Sequence, residues 1–354
     1  MELNNVQTLY SFETEYNADS VEWCPHDPHK NLFVCANYQL IENETSDNCT
    51  KRLGKLLLFS IETEKGLQLL QTINTLAILD QKWCHRKIND FSILAVASTE
   101  RKVDIYKLNE ETVQLELMKS YKINSTPETL VLSLDWSTGI HVLNKPEILC
   151  SDSKGNIHLL ELNDNVAWKE TFHGHEYEAW IAGFYYWDTN IIFSGGDDSL
   201  FLKFDRRVGK QPVSKNKSHE AGVTSFHSNP SKEYLVTSGS YDENVRLWDI
   251  RKMKTELNCL KMPGTLWRLK WDPFQNTKLL AACMLGGVHI VNTNSDEMEI
   301  IGSYYEHKNI AYGSDWSYLE EKKCDEFEGL GQYIISSCSF YDRLLCVSKV
   351  HLPS

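Results

Sequence analysis

The sequence predicts an all-β fold in which seven small sheets form a closed ring, a seven-bladed β-propeller. A pattern of three short strand-like runs occurs seven times along the 354 residues, helical periodicity is almost absent, and one further strand-like stretch, 5–12, precedes the first repeat. We expect this stretch to complete the last blade, because such closure leaves no frayed sheet edge. A single domain would then span residues 1–354.

The clearest repeat unit runs from Thr224 to Asp249. It contains alternating residues at 223–226, a β-rich run at 234–238, and a third run at 245–248 that ends in Trp-Asp. His219 precedes the unit, as a Gly-His position does in a WD repeat. The unit therefore resembles one blade of a WD-repeat propeller.

The other six repeats follow at intervals of roughly 40 to 60 residues, close to the WD-repeat period. Their first runs are marked by Trp23, Trp83, Trp136, Phe184, Trp271 and Trp316. Two stretches depart from the pattern. The polar segment 39–51 is expected to be an insertion in the first blade, and the acidic segment 319–331 a loop or short helix near the last.

The charge balance narrows the class of partner. The chain has 36 Lys and Arg residues against 49 Asp and Glu residues, a net charge of −13. Such a surface repels nucleic acid and favours a cationic partner or substrate. The N-terminal residues have no signal-peptide pattern and no apolar run is long enough to span a membrane, so we expect a cytoplasmic protein. The ten cysteines are scattered and are expected to be reduced thiols of the core.

Common enzyme motifs are missing: the sequence has no GxSxG, HExxH or Walker pattern. Two sets of residues have the composition of a Ser/His/Asp triad, namely His175, Ser194 and Asp198 in the fourth blade, and His219, Ser238 and Asp242 in the fifth. We favour a structural interpretation, since WD repeats use such chains inside a blade and Trp248 supplies the last member in the fifth. Phe204 replaces that tryptophan in the fourth blade, which leaves His175 open as a catalytic candidate.

Residues at one mouth of the channel are the candidates for function, because loops and strand ends gather there. The strand pattern places Asp19, Trp180, Trp267 and Tyr312 near first-strand starts, and Asp197, Tyr241 and Tyr341 in turns between second and third strands. Aromatic rings interleaved with carboxylates suit a quaternary ammonium or methylated amine. The alternative, which the pattern alone favours, is a protein-binding face.

Glu178 lies in a segment, 175–184, that is two residues longer than its counterpart in the fifth blade. The extra length could lift Glu178 and Trp180 into the mouth, although a solvated loop carboxylate explains the residue equally well. His173 and His175 form an HxH pair without an evident third ligand, so no metal site is predicted.

The chain as a whole resembles the diphthine methylesterase family of WD-repeat proteins. Matching segments occur in every blade: DSVEWCP from Asp19, AILDQKWCH from Ala77, LSLDWSTG from Leu132, SDSKGNIHLL from Ser151, EAWIAGF from Glu178, SGGDD from Ser194, GSYDENVRLWD from Gly239, LWRLKWDPF from Leu266, LLAACM from Leu279, YGSDWS from Tyr312 and CSFYD from Cys338.

This resemblance implies hydrolysis of a methyl ester on the modified histidine of translation elongation factor 2, giving diphthine and methanol without a cofactor. The substrate's trimethylammonium group would match the acidic, aromatic mouth. We expect a monomer in which His175, Glu178 or Asp197 acts as the base, with His175 ranked first. The competing hypothesis is a non-catalytic WD-repeat adaptor, since fold alone does not decide function.

Overall fold

The structure, a computed structural model, describes residues 5–41, 51–142, 145–163, 166–319, 322–323 and 330–353. The regular elements in these ranges are 29 β-strands, which form seven antiparallel sheets. The same ranges include no helix with the length and hydropathy needed to cross a membrane.

The first strand, β1 (Val6–Glu13), belongs to the last blade, and the blades then follow in chain order. Blade 1 is formed by β2 (Asn17–Trp23), β3 (Leu32–Ile41), β4 (Lys51–Glu62) and β5 (Gly66–Leu76). Blade 2 is formed by β6 (Ile78–Trp83), β7 (Ile93–Ser98), β8 (Lys102–Asn109) and β9 (Gln114–Lys122). Blade 3 is formed by β10 (Val131–Trp136), β11 (Glu147–Asp152), β12 (Asn156–Leu162) and β13 (Val166–His173).

The remaining blades continue the same order. Blade 4 is formed by β14 (Ile181–Phe184), β15 (Ile191–Gly195), β16 (Phe201–Asp205) and β17 (Ser214–Asn216). Blade 5 is formed by β18 (Val223–Ser228), β19 (Leu235–Ser240), β20 (Asn244–Asp249) and β21 (Asn258–Lys261). Blade 6 is formed by β22 (Arg268–Trp271), β23 (Lys278–Ala282), β24 (Val288–Asn292) and β25 (Glu299–Tyr304). Blade 7 is formed by β26 (Ala311–Trp316), β28 (Leu330–Ser339), β29 (Leu344–Pro353) and β1, with β27 (Lys322–Lys323) beside β28.

The ring closes as the sequence predicts. Strand β1 pairs with β29, with Val6 opposite Val350 and Glu13 opposite Leu344. The first strand of each blade contacts that of the next, and β26 of blade 7 contacts β2 of blade 1. The seven-bladed propeller closed by an N-terminal strand is therefore confirmed. A single domain over 1–354 stays a prediction, because most of the expected insertion (42–50 of 39–51) and most of the acidic segment 319–331 lie outside the described residues.

The recurring tryptophans join neighbouring blades. Each ends the inner strand of its blade, and four of them donate a hydrogen bond from Nε1 to a backbone carbonyl of the preceding inner strand. The pairs are Trp83 to Glu22 at 3.3 Å, Trp136 to Lys82 at 2.9 Å, Trp271 to His227 at 3.3 Å and Trp316 to Lys270 at 3.1 Å. Trp23 donates instead to Ser336 Oγ in blade 7, at 2.8 Å. The sequence repeat thus reflects a repeated contact between blades.

Polar side chains of the inner strands also connect the blades. At the penultimate position of an inner strand, a side chain accepts a hydrogen bond from a backbone N–H of the next blade. The examples are Asp135 Oδ2 from Phe184 at 2.7 Å, His227 Nδ1 from Trp271 at 3.1 Å and Asp315 Oδ2 from Trp23 at 2.7 Å. Two residues earlier, Asp80, Ser133 and Ser225 do the same for Leu134, Ala182 and Leu269. These bonds satisfy buried polar groups that would otherwise be costly.

Candidate functional site at the upper mouth of the channel

The hydrogen-bond chain in blade 5 is part of the scaffold. Trp248 Nε1 donates to Ser238 Oγ at 2.8 Å, the hydroxyl lies 2.8 Å from His219 Nε2, and His219 Nδ1 lies 2.9 Å from Asp242 Oδ2. All ring nitrogens and carboxylate partners are engaged inside the blade, so the chain stabilises the fold.

His175 has the same environment in blade 4. Its Nε2 lies 2.8 Å from Ser194 Oγ and its Nδ1 lies 2.8 Å from Asp198 Oδ1, and the side chain is buried. Both ring nitrogens are therefore engaged by partners inside the blade. Phe204 lacks the indole donor, so the hydrogen-bond chain of blade 4 is one member shorter than that of blade 5. The geometry nevertheless assigns His175 to the scaffold and disfavours the catalytic role predicted for it. His173 bonds to Asn156, and no group of three or more potential metal ligands occurs within the described ranges.

The upper mouth is the end of the channel where the inner strands begin. Phe184 and Ser228 end the inner strands of blades 4 and 5, so the segment 175–184 is as long as its counterpart 219–228, and the extra length expected around Glu178 is wrong. One residue of each blade, four positions before the last residue of the inner strand, surrounds this mouth. Four of these residues were predicted from the sequence: Asp19, Trp180, Trp267 and Tyr312. Asp19 and Tyr312 each stand at a register shift between the first two strands of their blade. The same shift occurs at the equivalent position of blades 2, 3 and 5, so it belongs to the repeat, in which it turns one side chain out of the regular ladder.

Four aromatic side chains meet at this mouth and are called the rim here: Trp180, Tyr241, Trp267 and Tyr312. The centroid of Trp267 lies 4.8 Å from Tyr312, 5.6 Å from Trp180 and 6.2 Å from Tyr241. Trp180 and Tyr241 are 6.2 Å apart. The structure therefore brings together four aromatic residues from blades 4, 5, 6 and 7, as the sequence led us to expect.

Tyr341 is linked to the rim by the ring of Phe340, a residue that the sequence analysis did not single out. The Phe340 ring lies 5.2 Å from Tyr312 and 4.9 Å from Tyr341, whereas Tyr341 itself is 62% exposed. Phe340 stands in the CSFYD segment, directly before Tyr341. Its place in that motif was the available signal.

The two predicted loop carboxylates lie on one side of the rim. Asp197 Oδ1 accepts a hydrogen bond from Trp180 Nε1 at 2.9 Å, and the Asp197 amide donates to the Glu178 carbonyl at 2.9 Å. Burial raises the pKa of Tyr241, and the charges of Asp197 and Glu178 raise it further. Both carboxylates therefore make the potential at the rim more negative, which favours a cation there.

Asp19 differs from these surface carboxylates. The residue is 3% exposed, and its Oδ1 is buried without a hydrogen-bond partner in the described part of the chain. Burial raises its pKa to about 8, against an opposing effect of Arg268. Burial, with a smaller contribution from the Asp19 charge, raises the pKa of Tyr312 to about 12. A buried carboxyl group thus lies beside the aromatic rim.

Arg268 and Asp80 lie below the rim and were not predicted. Arg268 follows Trp267 in the chain, its guanidinium lies 5.9 Å from that ring centroid, and its Nη2 contacts Asp80 Oδ1 at 3.1 Å. Arg268 and Lys82 lower the pKa of Asp80, although burial opposes them. The contact with Asp80 thus holds the positively charged guanidinium of Arg268 close to Asp19.

Further down, the channel contains a cavity of about 250 Å³ lined by charged residues. The penultimate position of the inner strands supplies most of them: Glu22, Lys82, Asp135, His227, Lys270 and Asp315. Lys270 pairs with Glu22 and lies 3.7 Å from Asp315, and Lys82 lies 3.6 Å from Glu22. The available sequence signal was the repeated charged residue next to each tryptophan, which strand periodicity alone does not predict.

Comparison with known proteins agrees with this architecture. The family model "WD domain, G-beta repeat" matches residues 210–249. A chain in the crystal structure of a mitotic checkpoint complex superposes with a TM-score of 0.71, covering 99% of this chain and 94% of that chain at 17% identity. That likeness concerns the fold alone. The protein is a WD-repeat β-propeller.

Two relatives define its place within this class. The Mus musculus protein named diphthine methyltransferase is 37% identical over 334 residues, which cover 89% of this chain and 70% of the mouse protein. The Dictyostelium discoideum protein named diphthine methyltransferase homolog is 36% identical, covering 94% of this chain and 96% of its own length. The chain belongs to the diphthine methyltransferase family. This agrees with the family that the sequence motifs indicated, although the name of the relatives describes methyl transfer and not ester hydrolysis.

Proposed function

We propose that the protein hydrolyses the methyl ester of diphthine on translation elongation factor 2, giving diphthine and methanol, as a step of diphthamide biosynthesis. Family membership supports the role in diphthamide biosynthesis. The observation that carries the proposal is the meeting of four aromatic rings with carboxylates at one mouth of the channel.

The aromatic rim suits the cationic part of the substrate. A trimethylammonium group cannot donate a conventional N–H hydrogen bond, so it is recognised by ring faces and nearby negative charge. Trp180, Trp267 and Tyr312 supply the rings, and Asp197 with Glu178 supplies the negative potential. In this proposal the two loop carboxylates steer the cation.

The chemistry of the site favours hydrolysis over methyl transfer to a carboxylate. A carboxylate that accepts a methyl group is already a nucleophile and needs no base. A water molecule that attacks an ester must lose a proton, so hydrolysis needs a proton acceptor near the bound ester. Diphthine carries its trimethylammonium and carboxyl groups on the same carbon. The proton acceptor must therefore lie beside the aromatic rim that binds the cation. The carboxyl groups of the upper mouth are our candidates for this acceptor.

The surface around the upper mouth suits a protein substrate. Four large apolar or aromatic side chains are exposed in its loops: Tyr177 at 58%, Leu285 at 80%, Tyr305 at 63% and Tyr341 at 62%. Such residues are common anchors of protein interfaces.

We place the reaction in the cytoplasm, because the eight described cysteines are all free, as expected in a reducing compartment.

The test is a reaction of the purified protein with elongation factor 2 that carries diphthine methyl ester. We expect methanol to be released in proportion to methyl groups lost from the modified histidine, without any added methyl donor. Gain of methyl groups that depends on a methyl donor would show a transferase instead. Stable binding with neither reaction would favour the adaptor hypothesis.

A further inference from the structure

We propose that Asp19 is the catalytic base that takes a proton from the attacking water, with the Arg268–Asp80 pair holding a positive charge beneath it. This inference rests on the proposed ester hydrolysis and assigns its chemistry to a residue that the sequence led us to place among the substrate-binding groups. It replaces His175, Glu178 and Asp197 as the candidate base.

The first argument is the position of Asp19 in the repeat. It stands four residues before Trp23, as Trp267 stands before Trp271 and Tyr312 before Trp316. The equivalent residues of the other blades are Leu79, Leu132, Trp180 and Thr224, so Asp19 is the carboxylate of this ring. The bulge between Ala18 and Ser20 leaves Asp19 outside the regular ladder of β2 and β3. A polar group has replaced an apolar or aromatic residue at the mouth itself.

The second argument is that Asp19 has no structural task of the kind its neighbours perform. Three other inner-strand aspartates are buried, and each accepts a backbone N–H of the next blade: Asp80 from Leu134, Asp135 from Phe184 and Asp315 from Trp23. Asp19 is 3% exposed and its Oδ1 has no such partner among the described residues. Burying a carboxyl oxygen without a hydrogen-bond partner costs free energy, so its presence calls for a functional reason.

The third argument is electrostatic. Burial raises the pKa of Asp19 to about 8, with a smaller contribution from the charge of Asp80, whereas Arg268 acts in the opposite direction. Arg268 holds the pKa of Asp80 below its ordinary value, despite burial. Two carboxyl groups near one guanidinium therefore differ in protonation, Asp80 being ionised and Asp19 able to exchange a proton near neutral pH. Such a division of roles is typical of acid–base sites.

The step can be written with these groups. The Asp19 carboxylate accepts a proton from water as the water oxygen bonds to the ester carbon, and the C=O electron pair moves onto the carbonyl oxygen. When this tetrahedral species collapses, the bond to the methoxy oxygen breaks and the leaving oxygen takes the proton from Asp19. Methanol and the acid result, and the acid loses its proton to solvent. The charge of Arg268 stabilises the negative carbonyl oxygen.

The test compares Asp19→Asn with Asp272→Asn. Asp272 is also buried, but it accepts backbone N–H groups of Gln275 and Lys278 at the other end of blade 6. We expect Asp19→Asn to lower kcat for methanol release by about 10²–10⁴-fold, while the Kd for methyl-esterified elongation factor 2 changes little. Asp272→Asn should lower the melting temperature and leave kcat of the folded protein unchanged.

The pH profile gives a second, independent measurement. In the wild type kcat/KM should rise with pH through the ionisation of Asp19 near about 8 and then level off, because the base must be ionised to act. Bound cationic substrate lowers the pKa of Asp19, so the corresponding rise in kcat should lie at lower pH. Residual activity of Asp19→Asn should lack this rise.

Failure of this inference can be told from failure of the proposed function. Absence of methanol release from the wild type would overturn the proposed function. Release by the wild type together with normal kcat in Asp19→Asn would overturn only the assignment of Asp19. A rise in Kd with unchanged kcat would also overturn it, returning Asp19 to substrate binding.

Discussion

Nη2 of Arg268 lies 3.1 Å from Oδ1 of Asp80, and the two residues belong to blades 6 and 2. The same Nη2 also contacts the Leu79 carbonyl at 3.2 Å. Blades 7 and 1 lie between them in the ring, so the arginine side chain reaches across the channel. Every other contact described between inner strands joins adjacent blades or lies lower, beside Lys270. This ion pair therefore ties the ring together directly below the rim.

Removing Arg268 should destabilise the protein strongly. Arg268 is 5% exposed and Asp80 is fully buried, so Arg268→Met leaves an ionised carboxylate without its partner. We expect a loss of about 3–5 kcal/mol in the free energy of unfolding. The double variant Arg268→Met, Asp80→Asn should recover part of the loss, and denaturant unfolding of both measures it. If Arg268→Met alone is as stable as the wild type, the Arg268–Asp80 pair does not contribute to the free energy of unfolding.

Asp19→Asn should stabilise the protein at neutral and higher pH. The carboxyl pKa is about 8 in the folded protein against an ordinary value of 3.8. The folded state therefore binds the proton more tightly, so the stability contributed by this group is complete below about pH 4 and is lost as pH rises through about 8. Relative to the wild type, Asp19→Asn should gain on the order of a few kcal/mol above this range. Thermal unfolding of both proteins from pH 5 to 9 tests the sign; a destabilised variant would contradict it.

His219→Ala should affect folding and leave chemistry unchanged. The substitution leaves Ser238 and Asp242 without their shared partner inside blade 5, at a cost of about 1–3 kcal/mol. His175→Ala should behave alike in blade 4, since both of its ring nitrogens are engaged. Melting temperature and methanol release should be measured on the same preparations. Normal stability with lost turnover would move either histidine from the scaffold to the site.

Trp136→Phe tests the contact that the sequence repeat encodes. The ring remains apolar, but the Lys82 carbonyl loses its donor at 2.9 Å. We expect a loss of about 1–3 kcal/mol without a change in kcat. Equilibrium unfolding in denaturant gives the value, and an unchanged midpoint would mean that solvent replaces the lost donor.

The aromatic rim should contribute to binding the cation. Trp267→Ala should weaken binding of methyl-esterified elongation factor 2 by about 1–2 kcal/mol, or roughly 5- to 30-fold in Kd. Trp168→Ala is the matched control, because Trp168 is 51% exposed on the outer strand of blade 3. Tetramethylammonium should compete with the modified protein for the rim, and its own affinity should fall in parallel in Trp267→Ala. Equal effects of the two variants would show that the rim does not recognise the cation.

The repeat in the sequence was sufficient to predict the architecture because it reflects one contact made again and again. Trp83, Trp136, Trp271 and Trp316 occupy the same place in four blades and donate to the preceding blade. The same regular spacing placed Trp180, Trp267 and Tyr312 at one mouth. Residues at equal positions of a propeller meet around its axis, so spacing along the chain becomes proximity in the ring.

The buried part of the site could not be predicted in this way. The Arg268–Asp80 contact joins residues 188 positions apart, and no local pattern specifies which cation crosses the channel to which carboxylate. The burial of Asp19 is equally a property of the assembled ring, since a lone aspartate at a strand start usually faces solvent. His175 was ranked first as base for its residue type, whereas its hydrogen bonds place it in the scaffold.

The most direct test of ester hydrolysis follows the oxygen of the attacking water. Methyl-esterified elongation factor 2 is converted by the protein in water enriched in oxygen-18, and both products are analysed by mass spectrometry. The account predicts one labelled oxygen in the diphthine carboxyl group and none in the methanol, because water attacks the ester carbon. Label in the methanol, or loss of the methyl group without labelled carboxyl, would contradict it.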